Sequence, residues 1–258
     1  MKIKIALCQI NVVDNKEKNI ENATSMILKA VKQNADFIVL PEMFNCPYSN
    51  EKFIEYCEEE TNSLTLSKIA KLADENNTYI LAGSIPEKED SKIFNTSYLF
   101  DIDVKGKIYF KESDTLSSGN KFTIAKTEFG NVGIGICYDI RFPELARLMV
   151  NAGAEILFYP GAFNMTTGPA HWELTFRARA LDNQVYCVGV APALNRDASY
   201  HSYGHSIITN PWGEVITQLD EKENLKIAEI DLDEIKKVRE ELPLLKNKRN
   251  DLYKINLI

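Results

Sequence analysis

One cysteine of this 258-residue chain sits where a thiol could act as a nucleophile. In Gly133-Ile134-Gly135-Ile136-Cys137-Tyr138-Asp139-Ile140-Arg141-Phe142-Pro143-Glu144, an apolar strand-like run, Val132 to Ile136, delivers Cys137 to a sharp turn. Past the turn, Phe142 to Val150 has a helical pattern, with Pro143 suited to the first turn and Leu145, Leu148 and Met149 at helical spacing. A thiol at a helix start lies beside N–H groups that lower its pKa and can hold a developing oxyanion. A lone cysteine is also a small buried hydrophobe. The glycine alternation before Cys137 and the Tyr-Asp-x-Arg after it favour the nucleophile, by the logic of a strand-to-helix elbow.

The general base that such a thiol needs has a candidate in Glu42. Phe37-Ile38-Val39-Leu40-Pro41-Glu42 puts a carboxylate just past the end of a buried strand, where α/β folds gather catalytic groups. Met43 and Phe44 are expected to surround it with apolar atoms and raise its pKa. The alternative is a solvated loop glutamate. On residue type alone Glu112, between Lys111 and Ser113, reads as part of a charged loop.

Arg141, four residues past the cysteine, offers a planar guanidinium that can grip a carboxylate bidentately, or can pair with Asp139 or Glu144. The glycine- and proline-punctuated loop from Tyr159 to Trp172 is of the kind that lines pockets, and Phe163, Thr166 and Thr167 are its candidate substrate contacts. His171 starts the next helix and reads as a cap or backbone partner rather than half of a Cys–His dyad. Arg177 and Arg179 read as surface or ion-pair residues.

Alternating strand and helix signals must position these groups. Ile3 to Ile10, Phe37 to Leu40, Tyr79 to Ala82, Ile156 to Tyr159, Val185 to Val190, Ser206 to Thr209, Val215 to Gln218 and Leu225 to Ile230 read as strands, and the last precedes a charged tail. Lys16 to Gln33, Leu64 to Asn76 and His171 to Asn183 read as helices. Ile93 to Lys126 looks like short strands and a loop. With no linker, repeat or low-complexity segment, residues 1–258 read as a single α/β domain whose sheets are covered by helices.

Composition narrows the function classes. A hydrophobic fraction of 45% with 26% charged residues describes a soluble globular protein, and a net charge of −7 argues against nucleic-acid binding. The apolar runs are too short and broken to span a bilayer, and the charged start MKIKIALCQINVVD does not read as a signal peptide. Five cysteines without metal spacing favour reduced thiols in a cytoplasm. Three scattered histidines, at 171, 201 and 205, do not call for a metal.

Leu40-Pro41-Glu42, the segment from Gly135 to Glu144, and Asn210-Pro211-Trp212-Gly213 resemble the nitrilase superfamily of carbon–nitrogen hydrolases. Tyr159 through Trp172, Arg179 through Tyr186 and Ser202-Tyr203-Gly204-His205-Ser206 resemble its omega-amidase branch more narrowly. The resemblance implies a four-layer αββα sandwich, a homodimer or higher homo-oligomer, no cofactor, and hydrolysis of the terminal amide of 2-oxoglutaramate or 2-oxosuccinamate. It also implies Glu42 as base, Cys137 as nucleophile and Glu112 as a supporting carboxylate.

One element of that resemblance is missing. The family's catalytic lysine lies in a basic segment before Asp-Ile-Asp-Val, whereas here Asn95-Thr96-Ser97-Tyr98-Leu99-Phe100 runs directly into Asp101-Ile102-Asp103-Val104. Alignment backward from Asp101 puts Thr96 at its place, and alignment forward from Asn95 leaves no residue there. The expectation is the loss of about one strand and turn, and with it one oxyanion donor. Lys105, Lys107 and Lys111 match other family positions.

Overall fold

The computed structural model describes residues 1–101, the backbone of 105–110, residues 116–117 and 122–256. Its first half runs β1 (Lys2–Gln9), α1 (Lys16–Val31), β2 (Phe37–Val39), α2 (Asn50–Tyr56), α3 (Leu64–Asn76), β3 (Tyr79–Leu81), β4 (Ile85–Glu89), β5 (Lys92–Phe100) and β6 (Lys105–Phe110). The second half runs β7 (Thr123–Thr127), β8 (Gly130–Ile134), α4 (Pro143–Asn151), β9 (Ile156–Pro160), α5 (Gly168–Asn183), β10 (Tyr186–Val190), β11 (Ile207–Thr209), β12 (Val215–Gln218), β13 (Asn224–Asp231) and α6 (Asp233–Glu241). Helix starts are set by side-chain caps: Asn15 Oδ1 accepts from Lys18 N–H, and Ser63 Oγ from Leu66 N–H at 2.9 Å.

Hydrogen bonding sorts the strands into two mixed sheets. One has the order β13-β1-β2-β3-β5-β4, with β6 on β5, and the other β12-β11-β10-β9-β8-β7. Each has a parallel centre, β1-β2-β3 and β8-β9-β10, as helix crossovers require. Ile5, Leu7, Phe37 and Val39 of the first sheet meet Ile134, Phe158, Val188 and Ile208 of the second in the central core. The opposite faces are covered by α1 and α3 on the first sheet and by α4 and α5 on the second. The layers are therefore helix, sheet, sheet, helix, the expected four-layer arrangement. Strand alternation builds it: Ile5 and Leu7 face the other sheet, while Ala6 and Cys8 face helices.

Two differences from the sequence reading have physical reasons. The charged tail after Ile230 contains α6, which buries only Ile235 and Val238, so its apolar stripe is too thin to register as periodicity. The central segment also holds a more complete sheet than the missing stretch implied. β6 pairs antiparallel with β5 from Asn95↔Phe110 to Phe100↔Lys105, so residues downstream of the gap supply a strand against this edge. β4 lies along the other edge, with Thr96 opposite both Ile85 and Tyr109.

This pairing is measurable by amide hydrogen exchange. Alternate β5 amides from Asn95 to Phe100 that point toward β6 are expected to exchange as slowly as those of the central strands. Exchange at the rate of an exposed strand edge would show that β6 does not close this side.

Candidate active site

Glu42 lies three residues past the end of β2 and is fully buried. Its Oε1 accepts from Asn95 Nδ2 at 2.7 Å and from the Tyr48 hydroxyl at 3.4 Å, and its Oε2 accepts from the Ala162 N–H at 2.7 Å. The expected apolar surroundings are therefore corrected to a shell of donors, which is what a buried carboxylate requires. Met43 and Phe44 instead fill two separate apolar clusters. Met43 takes a left-handed φ of 48°, and its N–H donates to Ser84 Oγ at 3.1 Å. This turn starts the arch from which Tyr48 reaches back to Glu42.

Cys137 follows β8 and opens a short 3-10 turn, Cys137–Arg141, that precedes α4. The helix start beside the thiol is thus this turn and not α4 itself. Cys137 has a φ of 41°, a conformation that costs a residue with a Cβ roughly 1–3 kcal/mol and needs support from its surroundings. Support comes from Asp139, whose Oδ2 accepts from the Ile136 N–H at 2.8 Å while its own N–H donates to the Ile136 carbonyl. Buried Arg179 adds a second brace: Nε donates to the Ile140 carbonyl at 2.8 Å and Nη2 to that of Arg141 at 3.3 Å.

Two glycines let the parts close. A Cβ on Gly135 would lie 2.5 Å from the Tyr159 ring, and one on Gly161 would lie 3.3 Å from Cys137 Cα. Gly161 thus packs directly on the nucleophile candidate, and the next residue, Ala162, holds the carboxylate. Two residues of backbone connect Cys137 to Glu42.

Arg141 lies with its guanidinium carbon 4.4 Å from the Phe163 ring centre and 5.3 Å from that of Tyr138. Its Nη1 meets His171 Nδ1 at 3.1 Å, while the His171 backbone bonds within α5 to Thr167 and Thr175, so the backbone-partner reading holds and the ring adds a contact to Arg141. Among the described residues Arg141 forms no ion pair with Asp139 or Glu144. Phe163 is buried edge-to-face against Trp172, with ring centres 5.0 Å apart. The N–H groups of Thr166 and Thr167 and the Thr167 hydroxyl converge on Asn164 Oδ1. Glu112 and Lys111 lie outside the described residues. Thr96 is buried on the face of β5 opposite to Asn95, turned away from Glu42.

The remaining cysteines have other environments. Burial pushes the Cys8 thiol up to about 12 and raises those of Cys46 and Cys187 as well, which keeps them protonated. Cys57 is partly exposed and donates to the Ile54 carbonyl.

Behind the Glu42 arch, buried Glu58 gathers several elements. Its carboxylate accepts from Ser63 Oγ, from Thr65 N–H at 3.0 Å and Thr65 Oγ1 at 2.6 Å, and from Asn45 Nδ2 at 3.4 Å, and it pairs with Lys16 Nζ at 3.1 Å. Desolvation raises its pKa, but these hydroxyl and backbone donors and the Lys16 charge outweigh it, leaving the group below its ordinary value. No sequence pattern marks this hub, nor Asn95, Tyr48, Ala162 and Arg179 as site residues. Asn95 could have been noticed as an amide in a mainly apolar strand, whereas Ala162 acts through its backbone and carries no side-chain signal.

A carbon–nitrogen hydrolase family model matches residues 4–240. The omega-amidase NIT2 of Bos taurus is 44% identical over 268 residues, covering 98% of this chain and 97% of that protein. The omega-amidase NIT2 of Homo sapiens is 43% identical over 270 residues, covering 98% of each. Among solved structures, Saccharomyces cerevisiae Nit3, described as a member of branch 10 of the nitrilase superfamily, superposes with a TM-score of 0.91 at 40% identity. That match covers 96% of this chain and 97% of Nit3.

The Glu58 hub makes a stability prediction with a definite sign. A group whose folded pKa is lowered adds stability above its unfolded pKa, near 4.5, and loses it as pH falls through the folded value. Glu58→Gln is expected to cost on the order of 2 kcal/mol at neutral pH, and the gap from the parent should close in acid. Denaturant titrations at several pH values check this. A gap that stays constant into acid would contradict it.

Proposed function

The chain belongs to the carbon–nitrogen hydrolase family, and we propose that it is an omega-amidase that hydrolyses the terminal amide of 2-oxo dicarboxylic acid monoamides through a thioester on Cys137. The observation that carries this reading is the backbone link in which Gly161 packs on Cys137 while Ala162 N–H holds Glu42. The omega-amidase names of its full-length relatives support the substrate class.

In this mechanism Glu42 takes the thiol proton, and the Cys137 sulfur attacks the amide carbon. The resulting oxyanion is held by the N–H of Tyr138, next after the nucleophile. Collapse breaks the C–N bond, and the nitrogen leaves as ammonia with the proton from Glu42. Water then gives a proton to Glu42 and attacks the thioester carbon. The C–S bond breaks, the acid is released, and the proton returns to sulfur. Arg141 receives the substrate carboxylate beside the Phe163 ring, Thr166 and Thr167 contribute hydroxyl contacts, and Glu112 supports the site. The protein works as a homo-oligomer in the cytoplasm on this reading.

The absent family lysine favours one second reading, a non-catalytic member that binds 2-oxo acids or a protein partner. With β6 paired to β5, the deficit reduces to one donor, typically about 100- to 1,000-fold in rate. Turnover of 2-oxoglutaramate is therefore expected that far below the enzyme median of about 10 per second, and Cys137→Ala should abolish it. Ammonia release measured for the parent and for Cys137→Ala tests this. No release from the parent would favour the binding reading, and unchanged release from Cys137→Ala would remove Cys137 as nucleophile. Turnover near the median would mean that a cation does serve the site, and alanine variants of Lys105, Lys107 and Lys111 would identify it. Thr96→Lys is expected to restore nothing, because position 96 faces away from Glu42.

A further inference from the structure

Among the described residues, Arg141 is a cation held without a counter-ion. One face of its guanidinium lies over the Phe163 ring, Tyr138 flanks it, and its buried Nε has no hydrogen-bond partner among the described residues. Its Nη1 meets a single polar side-chain atom, His171 Nδ1, at 3.1 Å. A guanidinium can only donate, so in this contact Nδ1 is the acceptor. The backbone of His171 is held in α5: its N–H donates to the Thr167 carbonyl, and its own carbonyl accepts from Thr175 Oγ1 at 2.9 Å.

An aspartate or glutamate in the place of His171 would orient Arg141 equally well but would neutralise it. A neutral acceptor orients the guanidinium and leaves its whole charge for a ligand. The other contacts, two aromatic rings, constrain the plane of the guanidinium without cancelling that charge.

We propose that His171 is a positioning residue that aims Arg141 as an uncompensated cation and thereby makes the site selective for amides whose far end is a carboxylate. This rests on the amidase reading and deepens it, because it names what selects the charge of the substrate. His171 touches neither the reacting carbon nor the thiol; it acts on ground-state binding through Arg141. The consequence is a change in KM without a change in kcat, confined to anionic substrates.

The test compares 2-oxoglutaramate with its methyl ester, which keeps the shape and removes the charge. His171→Ala is expected to raise KM for the acid about tenfold, or 1.4 kcal/mol, while kcat and the KM of the ester stay at parent values. His171→Asn places an amide oxygen where Nδ1 lay and should restore KM for the acid. Equal KM increases for acid and ester, an unaltered KM for the acid, or an Asn variant as poor as Ala would each overturn the proposal. Calorimetric titration of 2-oxoglutarate into Cys137→Ala, with and without His171→Ala, gives a readout independent of turnover. Binding that His171→Ala weakens about tenfold supports the proposal, and binding that it leaves unchanged refutes it while sparing the amidase reading. Absence of both turnover and binding in the parent site would remove that reading and this inference with it.

Discussion

The buried Glu42 carboxylate is the constraint on which the site depends. An ion with no solvent contact is tolerated only when its oxygens are met by donors. Here those donors come from both halves of the sandwich: Asn95 from β5 of the first sheet, Tyr48 from the arch after β2, and the Ala162 N–H from the loop after β9 of the second. Satisfying one carboxylate therefore fixes the two sheets against each other at the place where Cys137 emerges. Loss of any of these donors would leave charge uncompensated in the interior.

The strain at Cys137 fits that frame. A left-handed φ is held at Cys137 because Asp139 closes its turn, Arg179 braces the turn's carbonyls, and Gly161 packs closely on its Cα. Each brace belongs to a different element: the turn itself, α5 and the loop after β9. The thiol is presented by a scaffold that over-determines its backbone, which is the condition under which such strain persists. Cys8, Cys46 and Cys187 lack such a turn, and burial raises their thiol pKa values.

Much of this was legible in the sequence where a local rule applied. Period-2 and period-3.6 patterns located most strands and helices, and the strand-end positions of Glu42 and Cys137 marked them as candidates before any contact was known. What escaped was non-local. Asn95 and Ala162 reach Glu42 across 53 and 120 residues of chain. Arg179 has a side chain that patterns ordinarily assign to the surface, yet it is buried because the carbonyls of Ile140 and Arg141 consume its donors. The pairing of β6 with β5 was hidden for a similar reason: period-2 patterning marks strands but not which strands pair.

The central claim is that an acyl group passes through the sulfur of Cys137. Acid-quenching the protein during turnover of isotopically labelled 2-oxoglutaramate, followed by peptide mapping, tests it most directly. The expected result is label on the peptide containing Cys137, removable by hydroxylamine as a thioester. Ammonia release with no label on that peptide, or label on another cysteine, would contradict the account.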